Sequence, residues 1–164
     1  MADIEKMKPI KTKHGLLEIY RDWDSEGAIY MKNAQTIKRY KELSDEHPNP
    51  EDYGMFWAFN TKQYEEGKVK MKELGFYKEG QTIYSIGSGG YGTSIELIDK
   101  FLDFYINRRK RVAEECDPQE VYLYEYNNHE CMIGWEGDEP AYKIIVDTFG
   151  EKVAKSITRF SVSN

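Results

Sequence analysis

The chain predicts an α+β fold: a small few-stranded sheet, several amphipathic helices, and a helix-rich C-terminal half. Three observations lead there. Residues 55–59 and 82–86 are short strand-like runs with a helical pattern between them. Four glycines fall within residues 87–92, just before the longest helical periodicity. Beyond residue 93, apolar residues recur mostly at spacings of three and four.

The bulk numbers set the frame. A length of 164 residues suits one domain, here residues 1–164 with 1–14 loosely ordered. Hydrophobic residues make up 40% and charged residues 32%, which is a folded composition. The 13 tyrosines combine a buriable ring with a polar tip, so they favour the boundary between core and surface. With 29 acidic against 23 basic residues the net charge is −6, which disfavours nucleic acid as a partner. Two cysteines, Cys116 and Cys131, make no disulfide framework and suit a reducing compartment. No apolar run is long enough to span a membrane and the opening residues show no apolar signal-peptide core, so neither a membrane span nor a leader is expected. The expectation is a soluble cytoplasmic protein.

In order, residues 15–23 suit a strand or a short helix. Tyr30, Ala34, Ile37, Tyr40 and Leu43 mark a helical face, with Asp24 or Ser25 as its cap. The Pro48-Asn49-Pro50 loop ends it. Residues 55–59 read as a buried strand. Asn60 and Gln63 form a capping box for a helix with Tyr64, Gly67, Met71 and Leu74 inward. Gly67 on that inner face implies a close approach by another backbone. Gly75-Phe76 is a left-handed helix end. Strand, helix and strand over 55–86 fit a compact βαβ unit or a split version of it.

After the glycines, Thr93 and Glu96 form a second capping box. The helix then buries Ile95, Ile98, Phe101, Leu102, Tyr105, Ile106, Val112 and Ala113. Arg108, Arg109, Lys110 and Arg111 in its second half complement the helix dipole, or offer an interaction patch. Asp117-Pro118-Gln119-Glu120 is a helix start: cap, proline, acid in the first turn. That helix ends at Asn128-His129, and residues 131–135 suit a short strand. Asp138 opens another helix with Ala141, Ile144, Ile145, Thr148 and Phe149 inward, and Gly150 closes it. A last turn carries Val153, Ile157 and Phe160.

Two constellations bear on chemistry. Gly87, Gly89 and Gly92 match G-x-G-x-x-G between a strand and a helix, where free amides attract phosphate. A dinucleotide site also needs an acid on a second strand about 20 residues on. Helix occupies that region, and the loop has no lysine, so it is no P-loop. Residues Gly87, Ser88, Gly89, Gly90, Tyr91, Gly92 and Thr93 therefore stand as a candidate ligand site, with a tight structural junction as the competing reading. His129, Cys131, Glu125, Glu130 and Cys116 lack zinc spacing and carry no assignment as metal ligands or thiol catalysts. Asn128 and His129 are read as bonding backbone at a helix end. No catalytic residues, metal or cofactor are assigned.

Three ordered segments carry a resemblance. They are Phe56-Trp57-Ala58-Phe59-Asn60-Thr61-Lys62-Gln63-Tyr64-Glu65-Glu66-Gly67, then Ser85-Ile86-Gly87-Ser88-Gly89-Gly90-Tyr91, then Tyr124-Glu125-Tyr126-Asn127-Asn128-His129-Glu130. Over residues 55–149 this order resembles a family of small uncharacterised proteins of bacteriophages and integrated mobile elements of gut bacteria. The resemblance implies an accessory protein in the cytoplasm of a bacterial host. Its expected partner is a host or phage protein, or a second copy of itself, and inhibition of a host defence system is one such role. It implies no activity. Asn60, Gln63, Gly67, Glu125, Asn128 and His129 are its structural motif positions.

Overall fold

A computed structural model describes residues 3–160. The fold is α+β with two small antiparallel sheets. The chain divides into two compact units, residues 46–108 and the segments on either side of them.

The flanking segments form one unit. Strand β3 (Gly15–Asp22) is its central strand. β1 (Ile4–Lys6) and β2 (Ile10–Thr12) pair successive parts of it, and β4 (Ala28–Lys32) pairs residues 18–22. Leu17 and Ile19 alternate inward while Leu16 is exposed. The helix expected to begin near Ser25 is corrected here. Glu26, Gly27 and Asn33 all adopt positive φ and bracket residues 28–32 as a strand. Pairing with β3 outweighs the helical spacing of Tyr30 and Ala34. Only α1 (Ile37–Ser44) remains helical, with Tyr40 and Leu43 buried.

Helix α4 (Pro118–Asn128) is the hub of this unit. Seven of its side chains are buried, on every side of the helix. Its Asp117 cap accepts from the Gln119 and Glu120 amides. α5 (Glu139–Phe149), burying Ala141 and Ile145, packs against it, and α6 (Glu151–Ala154) packs against α5. Gly150 closes α5 at φ +89°. The strand expected at 131–135 is absent: these residues form turns after Glu130, which sits at φ +50°.

α4 grips neighbouring backbone with polar side chains. Glu120 Oε1 accepts from the Thr36 amide (2.8 Å), the Thr36 hydroxyl (3.1 Å) and the Ile37 amide (3.1 Å), while Oε2 accepts from Gln35 N (3.1 Å). A carboxylate from α4 thus caps α1, whose own Thr36 cap accepts from Asp117 N instead. Gln119 exchanges two hydrogen bonds with the Thr158 backbone (2.7 and 2.9 Å). Asn127 does the same to Ile29, pairing β4 as a further strand would.

The unit of residues 46–108 is built on a three-stranded sheet in the order β5 (Met55–Trp57), β7 (Gly90–Gly92), β6 (Tyr84–Gly87). β7 is antiparallel to both neighbours, so β5 and β6 run the same way with β7 between them. With α2 (Thr61–Glu73) joining β5 to β6, this is the split form of the βαβ unit. Phe56, Ala58, Met71 and Tyr77 form one core on the α2 side. Met55, Ile98 and Phe101 form another, with the start of α3 (Ile95–Glu115).

Several local expectations change. Thr93 does not cap α3; its amide and hydroxyl both donate to Gly54 O (3.1 and 2.9 Å), and Ser94 Oγ accepts from Leu97 N. Ile95, Leu102 and Ile106 are exposed, and so is Leu74 on α2. The helix stripe over-counted because only 98, 101 and 105 meet the second core. Gly75 ends α2 as expected: Phe76 N bonds Met71 O and Gly75 N bonds Lys72 O, the paired bonds of a Schellman end.

Candidate functional site

The glycine-rich stretch is a hairpin, not a strand-to-helix turn, and this corrects the expected topology. Gly87 pairs with Gly90, leaving Ser88 and Gly89 as the two-residue loop. Their φ angles, +52° and +79°, are those of a type I′ turn. Gly90 and Gly92 then form the middle strand, where side chains lie too close for a Cβ. A Cβ at Gly90 falls 2.7 Å from Ile86 Cγ1, and one at Gly92 falls 2.4 Å from Ile98 Cδ1. Sequence reasoning missed β7 because three residues, two of them glycine, carry almost no strand propensity.

The loop lies against the residues that lead into α2. Ala58 N donates to Gly89 O (2.8 Å), and the Phe59 ring lies over Gly89, where a Cβ falls 2.5 Å from Phe59 Cε1. Tyr91 stacks on Phe56 (5.5 Å between centroids, 21°) and meets Tyr64 edge-on at 5.0 Å. A cleft of about 510 Å³ lies among Phe59, Asn60, Thr61, Tyr64, Gly89 and Tyr91. Of the seven candidate ligand residues, Gly89 and Tyr91 line this cleft. Gly90 and Gly92 are covered, and both donors of Thr93 are committed to Gly54.

α2 also bounds a second cleft. Its start is fixed by Asn60 Oδ1, which accepts from Gln63 N (2.8 Å), and by Gln63 Oε1, which accepts from Phe59 N (2.7 Å). The reciprocal bond falls one residue earlier than in the standard box. Gly67 does face a close approach, but from the Phe56 ring rather than a backbone: a Cβ falls 2.2 Å from Phe56 Cδ2. Gln63, Glu66, Gly67, Lys70 and Met71 recur at i, i+3, i+4, i+7 and i+8, so they share one face of α2. That face and strand β5 enclose a cleft of about 440 Å³. A 3-10 turn (Pro50–Tyr53) also borders it, and Glu51 bonds Lys70 at 2.8 Å.

Trp57 and Phe59 project from this frame. Phe56 and Ala58 are buried at 9% and 4%, whereas Trp57 and Phe59 are 42% and 75% exposed. Period-two alternation beside a packed core therefore holds two large rings toward solvent.

The other sequence-predicted residues lie elsewhere. Arg108 donates to Glu46 O at 2.6 Å and lies over the Tyr105 ring. Arg111 pairs with Glu115 at 3.8 Å, and Arg109 and Lys110 are exposed. The run stops a turn short of the helix end, where Glu114 and Glu115 follow, so it does not sit at the negative pole of the dipole. His129 ends α4 and bonds the buried Glu125 carboxylate at 3.1 Å. Asn128 is exposed, and its neighbour Asn127 makes the backbone contacts expected of it.

Burial and close partners shift the protonation of several groups in the α4-centred unit. Burial pushes the Cys116 thiol up to about 11, with Glu115 adding to it. Burial also raises the Tyr122 hydroxyl, which donates to Asp138 at 2.7 Å. Burial acts on Asp138 in the same direction. It is outweighed by two Arg159 bonds (2.7 and 2.8 Å) and by Tyr122, which hold the carboxyl below its ordinary range. Among the described residues, no three His, Cys, Asp or Glu side chains are placed to hold a metal. No helix among them is long and apolar enough to cross a membrane.

A family model described as a family of unknown function, DUF7659, matches residues 39–149, and the chain belongs to that family. No curated protein and no solved structure matches it.

Proposed function

We propose that this member of the family acts by binding another protein rather than by catalysis, through the surface around β5 and the start of α2. The observation that carries the reading is the pair Trp57 and Phe59, large rings held toward solvent from a packed frame. Exposed aromatics on a rigid support are the residues that dominate binding energy at interfaces. An intracellular setting in a bacterium, with a host or phage protein as partner, belongs to this proposal. Affinity capture from a bacterial lysate with wild type and Phe59→Ala side by side tests it. A protein retained by wild type and lost with Phe59→Ala supports the reading. Identical captured sets, or turnover of a metabolite with no partner, overturn it.

A second reading rests on the cleft among Phe59, Tyr64, Tyr91 and Gly89. Its aromatic rings and its place at the start of α2 suit a small planar or phosphate-bearing ligand. Thermal shift with a nucleotide panel tests it, since a ligand at a hundred times its Kd adds about 2.7 kcal/mol of stability. An unmoved melting temperature across the panel ends it.

A further inference from the structure

We infer that the cleft between β5 and α2 is a groove for an extended segment of another protein, which adds to the sheet as a strand beside β5. The inference rests on the reading of the chain as a binding protein and names the form of the partner. Three observations carry it.

First, β5 is an edge. In the order β5-β7-β6 only one of its sides is paired. Among the described residues the backbone of Met55–Trp57 hydrogen-bonds only to β7. An edge strand presents unpaired amides and carbonyls that another chain can use.

Second, the cleft runs along that edge. Met55, Phe56 and Trp57 all line it. Successive strand residues point to opposite faces. A cleft over one face meets every second residue, so one that meets all three passes the edge. The helix face at 63, 66, 67, 70 and 71 forms its other wall. An edge strand facing a helix is the arrangement in which strand addition gives affinity through main-chain bonds, with side-chain contacts giving specificity. Three residues of edge measure about 10 Å.

Third, the walls have a charge preference. The lining contains Glu51, Glu66 and Lys70. Glu51 and Lys70 satisfy each other at 2.8 Å. Among the described residues Glu66 is left with only Lys62 as an ion-pair partner, at 3.9 Å, and both side chains are largely exposed. The incoming segment therefore carries a basic side chain opposite Glu66. A second copy of this chain fits less well, because three edge residues fall far short of the roughly 1,200 Å² that a stable dimer buries.

Random octapeptides displayed on phage, selected against the full chain, test this. Selection of peptides rich in β-branched and aromatic residues with one Lys or Arg is the expected result. In a selected peptide, N-methylation at successive amides weakens binding about tenfold at every second position, since only alternate amides face β5. Glu66→Trp, on the exposed side of α2, fills the groove and lowers affinity by about tenfold or more at an unchanged melting temperature. Glu66→Gln removes the preference for the basic residue. No enrichment over the starting library, uniform tolerance of N-methylation, or full affinity in Glu66→Trp each overturns the inference. Phe59 does not line the groove, so lysate capture sensitive to Phe59→Ala with no peptide selected sinks the groove and leaves the proposed function standing. Peptide selection without such capture upholds the groove and removes only Phe59 as a contact.

Discussion

Replacing Glu120 by alanine should destabilise the α4-centred unit more than almost any other single truncation of a charged side chain. The carboxylate is 1% exposed and caps α1 from another helix. Its removal strands the Thr36 amide and hydroxyl, both buried, and the half-buried Ile37 amide. Water can replace the bond to Gln35, which is exposed. Each stranded buried donor costs about 1–3 kcal/mol, and such costs do not simply add. A net loss of about 3–5 kcal/mol follows. For a chain of this length that lowers the melting temperature by about 6–20 °C. Glu120→Gln keeps the shape and one acceptor but turns a donor toward the Gln35 or Thr36 amide, and should lose about 2 kcal/mol. Circular dichroism melts measure the loss, and amide hydrogen exchange localises it to Thr36 and Ile37. A loss below about 1 kcal/mol in Glu120→Ala, with both amides still protected, would refute the capping argument.

The remaining expectations are of three kinds. Asp138 titrates below its ordinary range when folded, so the unfolded chain holds that proton more tightly. Its contribution is complete above about pH 4–5 and is lost as pH falls through the folded value. The stability difference between wild type and Asp138→Asn should therefore narrow on acidification, and urea titrations across that range would show a constant difference if the Arg159 pairing were immaterial. Cys116, fully buried with its thiol raised to about 11, should resist a thiol reagent in the native protein at mild alkaline pH and react only on unfolding; prompt native labelling contradicts its burial. Gly89→Ala forces a side chain into φ +79° and into the Phe59 ring, so it should cost about 1–3 kcal/mol and shift Phe59 resonances. An unchanged melt and spectrum would show that the turn does not position Phe59.

Local signals survived folding where the chemistry they describe is itself local. The Asn60–Gln63 cap, the Gly75 helix end and the Asp117-Pro118 start each involve residues within a few positions, and each forms. Glu120 shows where this stops. As a first-turn acid it reads as a partner for its own helix dipole. It also binds residues more than eighty positions earlier, a role no spacing announces. The helix proposed from Tyr30 fails for the same reason. Its periodicity is real, but Asn33 in the left-handed region and the ladder to β3 decide the conformation.

The candidate site was legible in its residues and not in its geometry. The segment 56–67 reads as a strand followed by a capped helix, and Gly67 signals a close contact. Which side of β5 lies open depends on strand order, and that order depends on β7, the strand that glycine composition conceals. With β7 in the middle, the glycines no longer prepare a phosphate cradle for α3. Gly90 and Gly92 let Ile86 and Ile98 lie against the middle strand, and the turn sets Gly89 beneath Phe59. β5 is thereby pushed to the edge, its outer side facing α2 across the groove. The glycine-rich stretch thus bears on binding through the sheet it permits as well as through the two residues that line the ring cleft.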